Sequence, residues 1–264
     1  PSFGMYPFST AVNAASYIPV PRKPDFSLDV DAIEQAAADH PNAKILFLCS
    51  PNNPTGSLLP AADFAWLIHH YPQVNFILDE AYFGFCDSYT AEDAAHLLKL
   101  TNRPNVFVIR TFSKFYALAN LRLGFILCNE ENGANLNKLA PVFDVPSISQ
   151  ALAAERLVDD QFEQEMKAEY AAVSRYLHPA LSQLPSLTPH ETCANFVLVK
   201  HDGRWAHAER KLFDLGFMAK RQPINGTTHY LRITLADLTT MHLLIAALHH
   251  IAEKSSIAHD THSS

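Results

Sequence analysis

The sequence predicts an α/β domain with a largely parallel sheet, followed by a smaller α+β unit. Three observations carry this. Over residues 1–140, short continuous apolar runs alternate with stretches of helical periodicity. The polar residues of that region gather just past the ends of the apolar runs. After about residue 140 the pattern changes to a long amphipathic stretch and then to short strand-like runs.

The elements follow in order. "AKILFLCS" (43–50), "VNFILDE" (74–80) and "NVFVIRT" (105–111) read as strands buried on both faces of a sheet. "PAADFAWLIHHYP" (60–72) has apolar positions at helical spacing and stops at Pro72. "TAEDAAHLLKLTN" (90–102) opens on a Thr with an acidic residue three positions on, a helix-start signature. Strand–helix alternation of this kind favours parallel pairing. Ligands of such sheets bind beyond the carboxyl ends of the strands. Ser50 to Gly56, Asp79 to Tyr82, and Thr111 to Lys114 are therefore expected along one edge. The second unit spans 141–252. It comprises a helical stretch over 147–184 with a break near 159–160, "ANFVLVK" (194–200), a helix over 205–215, "FMAKR" (217–221), "HYLRITL" (229–235) and a helix over 237–252. Residues 253–264 form a polar tail expected to fray.

Composition excludes several classes. Of the 264 residues 48% are hydrophobic and 18% charged, which is globular rather than disordered. The net charge of −7, without any Lys/Arg block, argues against nucleic acid or an anionic membrane as the main partner. No apolar run approaches the roughly 18 residues of a membrane span, and "PSFGMYPF" is not a signal peptide, so a cytoplasmic protein is expected. Cys49, Cys86, Cys128 and Cys193 are far apart and read as buried reduced thiols, with no zinc-type spacing. The His pairs at 69–70 and 249–250 read as helix ends. A GxGxxG or Walker loop is absent from the sequence.

The chemistry concentrates in "IRTFSKFYALANLRLGF" (109–125) and the two preceding strand ends. Lys114 sits among small and apolar residues with Arg122 eight positions on, a setting that lowers an amine's pKa and suits Schiff-base formation. Asp79 ends a buried strand and needs a partner; a helix cap, a lysine and a charge on a buried ring nitrogen are all open to it. Tyr82 offers a phenol to the same region. "SPNNPTG" (50–56) is a tight turn whose Asn53 amide can also donate. An amine, a carboxylate, a phenol, an amide and a guanidinium at one sheet edge match the needs of pyridoxal phosphate.

With these residues in place, the chain resembles the class I/II, fold-type I, pyridoxal-phosphate aminotransferases, and most of all their histidinol-phosphate branch. "SPNNPTG", "LDEAY" (78–82), "RTFSKFYALANLRLGF" (110–125) and "LRITLA" (231–236) occur in the family's order. "PSFGMY" is similar to its "PTYGMY", and "CANFVLVK" (193–200) to its small-domain strand. The resemblance implies the following roles. Lys114 bonds the cofactor aldehyde and later shuttles the proton. Asp79 pairs with the pyridine nitrogen, and Asn53 and Tyr82 bond the phenolate oxygen. Arg122 with a hydroxyl of Thr111 or Ser113 holds the phosphate, and Phe3 stacks on the ring. Arg232 binds a substrate carboxylate. Where the family has an Arg in a "GILVRP"-like strand, this chain has "GFMAKRQP" (216–223), and only one of Lys220 and Arg221 can face the substrate. The resemblance also implies a homodimer, and a chain that starts within the large domain, lacking an upstream helix N-terminus that cradles phosphate. The implied reaction is amino transfer from an amino donor, histidinol phosphate first, to a 2-oxo acid such as 2-oxoglutarate. Decarboxylation of a phosphorylated amino acid, or a non-catalytic fragment, are the alternatives.

Overall fold

The computed structural model describes residues 1–86, 97, 99–224, 226–227 and 229–260. The helix expected over 90–102 lies largely outside the described residues, although 99–101 are helical.

The first sheet has spatial order β1 (Ile45–Cys49), β2 (Asn75–Asp79), β3 (Val106–Thr111), β4 (Gly124–Leu127). The first three strands are parallel, and β4 closes the edge antiparallel to β3. The register places Cys49 beside Asp79 and Asp79 beside Ile109, so the carboxyl ends of β1, β2 and β3 are level. Parallel pairing needs crossovers. The β1–β2 crossover is helix α3 (Ala61–His70), which covers the sheet with Phe64, Leu67 and Ile68 against Phe76, Leu78, Val106 and Val108. Helix α2 (Val30–Asp39), capped by the Asp29 carboxylate accepting from Ala32 N–H, adds Ile33 to that layer.

The expectation of burial on both faces holds for one face only. The β2 burial alternates, with Phe76 and Leu78 buried and Asn75, Ile77 and Asp79 half-buried. Ile45 and Ile126 are exposed. The second face is covered at its strand-end corner by helix α1 (Met5–Val12), whose Tyr6 ring stacks on Phe47.

Helices α4 (Glu130–Asn137), α5 (Ser147–Leu157) and α6 (Asp160–Gln183) lead to the second sheet. The α5–α6 break falls at Val158–Asp159, where the Asp159 carboxylate accepts from Phe162 N–H and starts α6. The second sheet is antiparallel, in order β5 (Leu187–Pro189), β6 (Phe196–His201), β8 (Tyr230–Thr234), β7 (Ala219–Arg221). Its core joins Val199, Leu231 and Ile233 to Leu177 and Leu181 of α6, Leu212 of α7 (Ala208–Asp214), and Leu244 and Leu248 of α8 (Leu238–Asp260). Helix α8 continues to Asp260, so 253–260 are helical rather than frayed, and His249 and His250 lie in mid-helix rather than at its end. Phe26, from the loop before α2, packs with Leu198, Ile224 and Tyr230 and joins the two units.

The cysteine expectation is corrected. Cys86 and Cys193 are paired as a disulfide across 107 positions, with Cα atoms 4.8 Å apart, and each is only half-buried. Only Cys49 and Cys128 are free thiols, Cys49 being the buried one. The loop after β2 and the segment entering β6 meet at this bond, a proximity created by tertiary packing. Among the described residues no helix is long and apolar enough to cross a membrane.

Candidate active site

The level ends of β1, β2 and β3 bring three polar loops to one edge. Asp79 is the last residue of β2. Its Oδ1 accepts from the Ala81 N–H at 3.0 Å and its Oδ2 from the Tyr6 hydroxyl at 2.8 Å. Burial first, then the proximity of Cys49 and Asp79, holds the Tyr6 hydroxyl far above the ordinary phenol range. Tyr6 is therefore a permanent donor, and Asp79 the acceptor it orients. Burial likewise pushes the Cys49 thiol, beside Asp79, up to about 11, so it stands by as a neutral group.

The turn after β1 is held by its own side chains. Asn52 is buried; its Nδ2 donates to Thr55 Oγ1 (2.8 Å) and to the Pro1 carbonyl (3.1 Å), and its Oδ1 accepts from Ser2 (2.8 Å). The opening segment with Phe3 is thereby tied to the turn. Gly56 has φ +75°, and a Cβ there would run into Thr192 of the second unit. Only glycine fits that approach without strain.

Asn53 reaches the other unit. Arg232, on β8, donates from Nη1 to Asn53 Oδ1 at 2.8 Å, and its guanidinium lies over the Phe196 ring at 4.6 Å. Its Nε is buried without a hydrogen-bond partner, a donor available to an incoming anion. Tyr82 is buried beside it; burial raises its phenol above the ordinary value, and Arg232 opposes the rise by charge and by a hydrogen bond.

Lys114 follows β3, its Nζ 5.6 Å from the centre of the Tyr82 ring. The residue is exposed at its surface, yet its amine is held below the ordinary lysine value, first by partial desolvation and then by Arg232 and Arg122. Arg122 takes a left-handed backbone (φ +51°) and donates to the Ala119 carbonyl at 2.9 Å. The Thr111 hydroxyl donates to the Leu123 carbonyl (3.2 Å) and accepts from Ser113 N–H (3.1 Å), so it shapes the turn. Phe3 meets Tyr6 edge-on at 5.8 Å.

Lys220 and Arg221 separate cleanly. Lys220 is opposite Arg232 in the β7–β8 register and shares its face. Arg221 is opposite Leu231, on the face packed by helices, and lies 3.6 Å from Glu209. Arg221 is therefore not brought to the site, because neighbouring residues on a strand point to opposite faces.

The structure thus gathers Lys114, Tyr82, Asn53, Arg232 and Asp79, with Arg122 close enough to act on the lysine. Sequence reasoning missed Tyr6, three residues after Phe3 and so on the same side of a helical turn. It also missed Asn52, and the pair in which Arg110 donates to the buried Glu80 carboxylate at 2.7 Å next to Asp79.

Comparison with known proteins gives the family. Residues 1–249 match the family described as aminotransferase class I and II. A histidinol-phosphate aminotransferase of Cytophaga hutchinsonii is 35% identical over 201 residues, covering 76% of this chain and 56% of that protein. An aromatic amino acid aminotransferase of Cutibacterium acnes is 35% identical over 198 residues, covering 74% and 54%. The chain thus spans little more than half the length of these relatives. The crystal structure of histidinol-phosphate aminotransferase from Sinorhizobium meliloti, in complex with pyridoxal-5'-phosphate, superposes with a TM-score of 0.85 at 25% identity, over 96% of this chain and 68% of that one. By a match running nearly its whole length, this chain belongs to the aminotransferase class I and II family.

Proposed function

We propose that the site binds pyridoxal 5'-phosphate and serves amino transfer from an amino acid or amino-alcohol phosphate, histidinol phosphate first, to a 2-oxo acid such as 2-oxoglutarate. The observation that carries this is the Lys114 amine, lowered in pKa and facing Tyr82 beside the Arg232–Asn53 pair. The donor set fits the cofactor: one amine, one oriented carboxylate, a phenol, and an amide whose Nδ2 stays available while its Oδ1 accepts from Arg232. When bound, the cofactor supplies a carbonyl carbon and an electron-withdrawing ring.

The chain's residues do the rest. Lys114 Nζ would be the amine that holds the cofactor's carbonyl carbon, and the same amine would carry the proton taken from the substrate α-carbon. Its lowered pKa keeps more of the amine unprotonated at neutral pH than an ordinary lysine would have. Asp79, aimed by Tyr6, would hold the ring nitrogen. Asn53 Nδ2 and the Tyr82 hydroxyl serve the phenolate oxygen. Arg122 and Ser113 serve the phosphate, Thr111 shaping their turn, and Phe3 covers the ring. Arg232 receives the substrate carboxylate with its unpartnered Nε, and Lys220, on the same sheet face, serves a substrate phosphate.

The reading extends to a homodimeric, cytoplasmic enzyme with small-molecule partners, as the family resemblance implies. Sedimentation showing a monomer at micromolar concentration would count against the dimer. The principal test is reconstitution with pyridoxal phosphate. A visible absorbance band is expected in the wild type and absent in Lys114→Ala; a band that survives the substitution refutes the assignment. Glutamate formed from 2-oxoglutarate, against carbon dioxide released, separates transamination from decarboxylation.

A further inference from the structure

We propose that Cys86 and Cys193 form a reversible thiol–disulfide switch that clamps the junction between the two sheets. The pair joins the loop that follows β2, which carries Tyr82, to the segment that enters β6. Its Cα separation of 4.8 Å lies within the ~4.4–6.8 Å that a disulfide spans. Both residues are half-buried, so a small thiol or disulfide can reach them, whereas Cys49 is buried.

The surroundings tie the bond to the site. The Cys193 N–H donates to the Gly56 carbonyl at 2.9 Å, in the turn that carries Asn53. Tyr170 of α6 donates to the Thr192 carbonyl at 3.0 Å. Phe85, next to Cys86, packs on Tyr170 at 5.7 Å and on Phe115 at 5.4 Å, and Phe115 adjoins Lys114. Three loops with site residues therefore meet at one sulfur pair. With the bond closed, the segment entering β6 cannot draw away from the Tyr82 loop. With it open, that covalent restraint is gone, and packing such as the edge-on contact of Tyr82 with Phe196 remains.

The chemistry is an exchange with a low-molecular-weight disulfide. One cysteine thiolate attacks a sulfur of that disulfide, releasing one small thiol and forming a mixed disulfide. The second cysteine displaces the remaining small thiol from the protein sulfur. The two protein thiols lose two protons and two electrons, and the small disulfide becomes two thiols. This inference concerns the junction and holds whichever reaction the site performs.

The test uses the full chain equilibrated with oxidised and then with reduced glutathione. Alkylation under denaturing conditions and mass spectrometry report the thiols; hydrogen–deuterium exchange reports the junction. With oxidised glutathione, the peptides of Cys86 and Cys193 are expected joined and unlabelled, and Cys49 and Cys128 labelled. On reduction, all four should label, and exchange over residues 50–57 and 190–196 should rise several-fold. In Cys86→Ser and Cys193→Ser the two glutathione conditions should give the same exchange. Thiols that stay alkylatable in oxidised glutathione overturn the proposal, as does a bond that forms without changing exchange. The wild-type comparison decides even if a variant misfolds.

Discussion

Replacing Arg232 by Gln separates a substrate anchor from a structural strut. In the folded chain the substitution removes the charged hydrogen bond to Asn53 (2.8 Å), about 1.5–3 kcal/mol. It also removes the cation over the Phe196 ring, about 0.5–1 kcal/mol at a partly exposed position. Against this, the buried Nε without a partner disappears, which returns about 1–3 kcal/mol of desolvation. The terms partly cancel, so stability should fall by no more than ~3 kcal/mol. Anion binding has no such offset. Removing the guanidinium from a desolvated guanidinium–carboxylate pair costs about 2–4 kcal/mol, or roughly 30- to 1000-fold in affinity at 1.4 kcal/mol per decade. Urea denaturation should report the first quantity. Calorimetric titration of the reconstituted protein with 2-oxoglutarate should report the second. The Lys114 amine should also titrate closer to an ordinary lysine, since Arg232 is one of the charges depressing it. A large stability loss with unchanged carboxylate affinity would refute the reasoning and make Arg232 a strut between Asn53 and Phe196.

Three further outcomes are expected. Tyr6→Phe keeps the stacked ring but deletes the donor to Asp79; stability should drop by about 1.5–3 kcal/mol in chemical denaturation, and cofactor affinity should fall with it, whereas an unchanged unfolding midpoint would show the bond to be idle. Gly56→Ala forces a Cβ at φ +75° into Thr192 and should cost more than ~1 kcal/mol, read as a lowered Tm. The third concerns pH: because the folded Lys114 pKa is below its unfolded value, the unfolded chain binds more protons between the two. Wild-type stability should therefore rise with pH through that window, and Lys114→Met, followed by denaturation across pH, should flatten the rise; an identical slope in both proteins would contradict it.

The strands at 45–49, 75–79 and 106–111, and the shared edge where Asp79 and Lys114 stand, were legible from apolar runs and the residues at their ends. Buried backbone must pair, and a parallel sheet places its strand ends together, so local pattern carried that information. The break in the helical stretch near 159–160 was legible too, whereas the Asp159 cap that starts α6 came from the structure. Coverage of the sheet was not: a continuous apolar run reads alike whether one face or two are packed, and only α1 lying over Phe47 settles the matter.

The sequence by itself determined which chemical groups this protein brings to its candidate site: an amine in a low-polarity setting, an acid at a strand end and an amide in a turn, with Arg232 added by the family resemblance. Those are properties of residue type and neighbours along the chain. Tertiary structure alone decided which groups touch. It aimed Asp79 with the Tyr6 hydroxyl, turned Arg232 to Asn53 across 179 positions, put Lys220 rather than Arg221 on the site face, and set Cys86 against Cys193. The physical reason is that hydrogen bonds, charge effects and disulfides act over a few ångströms, and bringing the two units together removes distances along the chain that no local pattern encodes.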